Sequence, residues 1–167
     1  MSRKARSRHT VTLIAFVFLF TACATTLAPH YDKVLLDGLT KTNTEVMEFF
    51  ASVSGGTQKD TFEQRKEKYA NLIGRFDALE IQAKARPVPK NNITDKINDL
   101  LSKRGVPTPD DSETPSATAM GKISKTLAKM RDTDQKQGIT STEVQAFKNQ
   151  VSIYLDQALT YESFLER

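Results

Sequence analysis

A calcium site is the first chemistry to look for in this chain, because three carboxylates fall at a telling spacing. Asp132, Asp134 and Glu143 occupy the first, third and twelfth places of a calcium-binding loop, with Ile139 at the eighth. That spacing matters because a tight turn wraps oxygens around the ion and a final glutamate adds two more. Two departures weaken the pattern: Lys136 stands at the fifth place, where an oxygen ligand belongs, and the glycine comes one residue late, at Gly138. Glu143 also has a simpler use as a helix cap. The expectation is no metal site, with these three residues as the set to check.

Acid–base and nucleophilic chemistry have even less to work with. His30 is the only histidine after the first ten residues, and Cys23 is the only cysteine. One histidine beside a helix start is expected to be a surface residue, and zinc, haem or Cys-His sites lack ligands. Glu45, Glu48, Glu63 and Glu67 could be imagined as a carboxylate pair for glycoside hydrolysis. They lie off the apolar stripes, however, and read as a solvated face. No catalytic residue and no cofactor is therefore expected.

The elements that would position any site are helical, and no stretch alternates like a strand. A first helix is predicted over residues 29–54, with Leu35, Leu39, Thr42, Val46, Phe49 and Val53 at three–four spacing, Pro29 in its first turn and Gly55-Gly56 at its end. A second covers 61–85, with Phe62, Tyr69, Leu72, Phe76, Leu79 and Ala83 on its stripe. Asp60 and Glu63 have capping-box spacing at its start. A third, over 115–137, has Met120, Ile123, Leu127 and Met130, padded by Ala117, Ser124 and Ala128, which would let a neighbour approach closely. The last begins at Thr140 with a capping box to Glu143 and a staple of Ile139 and Val144. Its stripe reads Val144, Phe147, Val151, Tyr154, Ala158, Tyr161 and Leu165, with Leu155 and Leu159 alongside.

Short links join the first two helices and the last two, so each pair forms an antiparallel hairpin. The expected fold is all-α: an antiparallel four-helix bundle made of two helical hairpins, with a crossover insert over 86–116. The insert is rich in Pro, Asn and Asp and contains a shorter helix signal at Ile93, Ile97, Leu100 and Leu101. Thr42, Arg65 and Asp134 stand where a core residue belongs. The expectation is that the stripe reaches the surface or a bundle end there, arginine laying its stem over apolar neighbours. The alternative is that buried polar groups set the helix register. The aromatic residues are expected to be plain core.

The first two dozen residues are of a different kind. Arg3, Lys4, Arg6 and Arg8 precede an apolar run from Val11 to Phe20 that is too short to span a bilayer, which takes about 20 apolar residues. The run ends in Phe20-Thr21-Ala22-Cys23. A basic start, an apolar centre and small residues before a cut site make an export signal, and with cysteine next the segment resembles the lipobox of bacterial lipoproteins. Phe20 departs from the leucine usual in that family. The resemblance implies a signal peptide over 1–22, diacylglycerol and acyl chains on Cys23, a lipidated tether over 23–29 and a single bundle domain over 30–167. Ala24, in place of aspartate, implies outer-membrane sorting with the body facing the periplasm.

Cleavage there also removes the charge excess. The chain has 24 basic and 20 acidic residues, and the four basic residues of the difference all precede Cys23. A neutral mature chain gives no basis for nucleic-acid binding, and lipidation would consume the only thiol. The function expected from this reading is a non-enzymatic lipoprotein acting by contact with a protein partner, in a structural, scaffold or envelope-assembly or exclusion role. The insert 86–116 is the expected contact surface. The alternative is a carrier of lipid or a small apolar ligand in the bundle core.

Overall fold

The computed structural model describes residues 29–87 and 113–166. The signal segment, the lipobox with Cys23 and the short helix signal at Ile93–Leu101 lie outside the described residues. Four helices form an all-α bundle: α1 (Lys33–Ser52), α2 (Glu63–Lys84), α3 (Pro115–Gln137) and α4 (Ser141–Phe164). Neighbours run antiparallel, up-down-up-down. The helix α3 packs on α2 and α4, and α1 closes the ring against the same two.

Helix ends follow from local chemistry, with two corrections to the sequence reading. The Asp32 side chain accepts from the backbone N–H of Val34 at 2.9 Å and of Leu35 at 3.1 Å, so α1 starts after this cap and Pro29 lies before the helix. At α2 no side chain caps the helix. A 3-10 turn, Lys59–Thr61, runs directly into it: the Phe62 N–H donates to Lys59 O, and Arg65 N–H to Phe62 O. That turn satisfies the end groups without the Asp60–Glu63 box. The Thr140–Glu143 capping box forms as expected, with the Thr140 N–H 2.8 Å from Glu143 Oε2 and the Glu143 N–H 3.2 Å from Thr140 Oγ1. Thr114 caps α3, with Pro115 as its first residue.

The core is formed by the predicted stripes of α1, α2 and α3, including Leu35, Leu39, Tyr69, Phe76, Ile123 and Leu127, all buried. On α3 the small residues Ala117 and Ser124 are buried as well, where α2 and α4 both press on that helix. The stripe of α4 keeps Val144, Val151 and Ala158 but is turned toward the flank where Leu155 was expected. Val144, Val151, Leu155, Ala158 and Glu162 are buried, while Phe147 and Tyr154 pack on the rim. Reading by residue type favoured Tyr161, but a buried partner for Glu162 decides the face.

One element had no sequence signal. The two hairpin loops pair with each other through β1 (Gly56–Thr57) and β2 (Ile139–Thr140), antiparallel, Gly56 opposite Thr140 and Thr57 opposite Ile139. Glycine makes this possible. Gly56 has φ +92° and Gly138 has φ +79° with ψ 177°, the latter in a region that only glycine adopts readily. A Cβ on Gly138 would lie 2.5 Å from Thr57 O, and one on Gly56 2.7 Å from Ile139 O. Each loop's glycine thus leaves room for the other loop's backbone.

Gly138→Ala is expected to lower stability by about 1–3 kcal/mol. Gly74 is an exposed mid-helix glycine with open space around it, and Gly74→Ala is expected to raise stability by about 0.5–1 kcal/mol. Urea unfolding midpoints of the two variants check both signs at once.

Candidate functional site

Beneath the paired loops lies a buried carboxylate. Asp134, in the last turn of α3, is 0% exposed, and Arg65, in the first turn of α2, reaches it with a side chain 14% exposed. Nε and Nη2 of Arg65 donate to Oδ2 and Oδ1 of Asp134, both at 2.9 Å, a two-pronged pairing that only arginine makes. The remaining guanidinium N–H groups go to Thr61 O, Thr61 Oγ1 and Gln58 O at 2.9–3.1 Å. All five donors are thereby used. Asp134 also accepts from Thr57 Oγ1 at 2.6 Å and from the Tyr69 hydroxyl at 3.2 Å, two donors on each oxygen. Thr57 Oγ1 accepts in turn from the Ile139 N–H at 3.0 Å, so one carboxylate ties α2, α3 and both loops.

The electrostatics follow from that geometry. Hydrogen bonding to Asp134 holds the Arg65 guanidinium above its ordinary pKa. Burial first, then the neighbouring Asp134 charge, pushes the Tyr69 phenol well up. The expectation that Arg65 and Asp134 mark a surface or bundle end is corrected in its main point. They stand at a bundle end, but Asp134 is inside it, paired and saturated. Thr42 is also core, its Oγ1 donating to Gly38 O at 2.8 Å within its own helix.

A second such centre closes the opposite end. Glu162 of α4 is 0% exposed and accepts from Arg86 Nη1 at 2.8 Å and Nη2 at 2.5 Å, and from Ser116 Oγ. Arg86, just past the end of α2, is 10% exposed, and its Nε–H is buried without a hydrogen-bond partner. Ser116 lies 3.1 Å from Thr114 Oγ1 at the start of α3. The Lys84–Glu113 ion pair, 3.0 Å, is nearby. The 86–116 connection therefore begins and ends at one end of the bundle, between neighbouring helices. Sequence reading missed Glu162. Its signal was the spacing of seven from Leu155, which places a charge on the buried face.

The three carboxylates of the calcium spacing are not brought together. Residues 132–137 continue α3 as helix instead of forming a loop. Asp132 is exposed and accepts from its neighbour Arg131 at 2.7 Å, Asp134 faces Arg65, and Glu143 caps α4. The Glu143 carboxyl is held below its ordinary pKa by the Thr140 N–H and hydroxyl. Among the described residues, no group of three or more His, Cys, Asp or Glu side chains is placed to hold a metal ion. Glu45 bridges α1 to Arg75 of α2 at 3.0 Å, Glu63 pairs with Lys66, and Glu48 and Glu67 are exposed. His30 is exposed before α1.

The aromatic residues fill space against one another. The Phe49 ring meets Tyr69 edge-on at 4.7 Å, Phe62 stacks on Tyr69 at 6.3 Å, and Phe50 and Phe76 are buried. Above the Asp134 centre an open cleft of about 670 Å³ runs between the two loops, lined by both of them and by the first turns of α2 and α4. No protein-family model matches the chain, and neither curated proteins nor solved structures show a match to it.

Removing one partner of a buried pair leaves the other charge uncompensated. Asp134→Ala is therefore expected to cost about 3–5 kcal/mol in urea unfolding, whereas Arg65→Met combined with Asp134→Leu recovers most of that loss. Tyr69 adds a pH dependence. Folding raises its pKa, so its contribution is complete below about pH 10, the ordinary tyrosine value, and is lost as pH rises above it. In that range the unfolded chain loses the phenol proton and the folded chain keeps it. Tyr69→Phe is expected to flatten the alkaline decline in unfolding free energy relative to the parent protein.

Proposed function

We propose that the protein is a non-enzymatic lipoprotein of the bacterial envelope. In this reading it is anchored through lipid on Cys23, most simply in the outer membrane with its body in the periplasm, and acts by contact with a protein partner. The observation that carries the reading is the segment from Arg3 to Cys23: a basic start, a short apolar run and Phe20-Thr21-Ala22-Cys23. Several acyl chains on one cysteine hold almost permanently, since each buried methylene contributes about 0.8 kcal/mol. Among the described residues no helix is long and apolar enough to cross a membrane.

The structure supports a contact role through what its residues are committed to. Asp132, Asp134, Glu45, Glu63, Glu143 and Glu162 are engaged in ion pairs or a helix cap. Val34 and Ile81 are exposed apolar side chains in the terminal turns of α1 and α2, at the end where the chain enters from Pro29, and Ile153 is exposed midway along α4. Exposed large apolar side chains are what a contact role would use. The carrier alternative gains nothing from the packing, because the rings that would line a cavity pack on each other.

Mass spectrometry of the protein purified from membranes is expected to find a mature N-terminus at Cys23 carrying acyl chains. Cys23→Ser is expected to abolish that modification and to remove a partner adduct seen by in-cell crosslinking. An unmodified N-terminus at another residue would overturn the anchor, and an adduct indifferent to Cys23→Ser would separate the contact role from it.

A further inference from the structure

The cleft above the Asp134 centre is an unassigned feature among the described residues, and the geometry points to a binding site for a neutral saccharide there. Its volume of about 670 Å³ lies within the usual range of small-ligand sites, about 300–1,000 Å³. The lining decides the ligand class. Two charged side chains border the cleft. Arg65 is spent on Asp134, Thr61 and Gln58, and Glu143 accepts from the Thr140 N–H and hydroxyl through one oxygen, Oε2. An anionic ligand would find no free counter-charge, and a cationic one would find a single carboxylate already committed as a helix cap. The apolar contributors Val53 and Ile139 are 4% and 3% exposed, and no aromatic ring lines the cleft. A protein partner would find no pocket for the buried aromatic or apolar anchor on which such contacts depend.

What remains is amide and hydroxyl. Gln58, Gln64 and Gln137 present exposed side-chain amides from the β1 loop, α2 and the end of α3, while the Ser52 and Thr61 hydroxyls donate to Phe49 O and Gln58 O and leave the amides as the donors of the cleft. Primary amides both donate and accept, so three of them on different elements suit a ligand whose surface is hydroxyl and acetamido groups.

Rigidity is the second argument. Binding loses least when the site is already ordered. Here the two loops are laddered together, held in close approach by Gly56 and Gly138, and clamped from below by Arg65. A saturated buried ion pair is a costly way merely to end a bundle, yet it fixes the positions of Gln58 and Gln64 relative to Gln137. The binding assignment stands on the cleft alone. Only its orientation rests on the proposed lipid anchor: the cleft is at the end away from Pro29, one length of α1 distant, about 30 Å.

The test is a ¹H–¹⁵N NMR titration of the protein, purified in detergent from membranes, with N-acetylglucosamine trimer and with maltotriose. The expected result is saturable shifts confined to residues 52–65 and 137–143 with at least one of the two. Gln64→Ala combined with Gln137→Ala is expected to weaken that binding about tenfold while leaving the rest of the spectrum in place. No shift up to about 10 mM of either saccharide, a range in which weak sites still register, overturns the proposal. So do shifts centred elsewhere, or equal binding by the double variant. A neutral capped alanine peptide that shifts the cleft when neither saccharide does assigns it to peptide and overturns it too. None of these outcomes depends on whether Cys23 carries lipid.

Discussion

The bidentate pairing of Arg65 with Asp134 is the constraint on which the rest of the architecture turns. Apolar stripes at three–four spacing favour bundling but tolerate sliding, because a leucine one turn along buries nearly as well. A carboxylate that needs four donors does not tolerate it. Shifting α3 by one turn, about 5.4 Å, would strand Asp134 away from Arg65, Tyr69 and Thr57 together. Leaving such a group buried and unsatisfied costs more than the hydrogen bonds themselves contribute. The Arg86–Glu162–Ser116 centre repeats the device at the other end of α2. With both ends fixed, α2, α3 and α4 have one axial register, and that is the sense in which buried polar groups specify rather than merely stabilise this fold.

Helix α1 is held differently. It takes no part in either buried centre. It docks through Leu35, Leu39, Val46, Phe49 and Phe50, supplemented by the partly exposed Glu45–Arg75 bridge and the Tyr31 hydroxyl 3.4 Å from Glu166. Surface pairs of that kind contribute little. The bundle therefore consists of three helices locked by charge and a fourth attached by apolar burial, and the fourth leads back toward Cys23. Apolar burial is less specific than the charged locks but can be large in area, and five large side chains account for α1 staying in place.

The helices and their faces were legible because periodicity reports burial directly: the stripes of α1, α2 and α3 occupy the core nearly residue for residue. The Thr140–Glu143 box was legible because both halves of a local motif are three residues apart. Legibility failed where partners are distant in sequence. Arg65 and Asp134 were visible as interruptions of two stripes, yet nothing local says that a positive interruption on one helix faces a negative one on another. Glu162 was hidden more completely, since Tyr161 beside it is the more apolar residue. The β1–β2 pairing was beyond reach, because two-residue strands have no period and depend on Gly56 and Gly138 meeting the opposite loop. The cleft inherits that difficulty, being formed by the same loops.

The two ends of the bundle rest on a common internal solution. Each holds a carboxylate inside with an arginine on it, Arg65 from the first turn of α2 and Arg86 from just past its end. The outside of each end is mixed in chemistry. At the Pro29 end Lys33 and Asp37 are exposed beside Val34, and at the loop end Lys59, Asp60 and Lys136 are exposed around the covered Val53 and Ile139. The shared device therefore acts on the inside. It fixes how far α2, α3 and α4 can slide past one another, and it leaves the surface residues of both ends free of that constraint, because either kind of surface residue can end a helix.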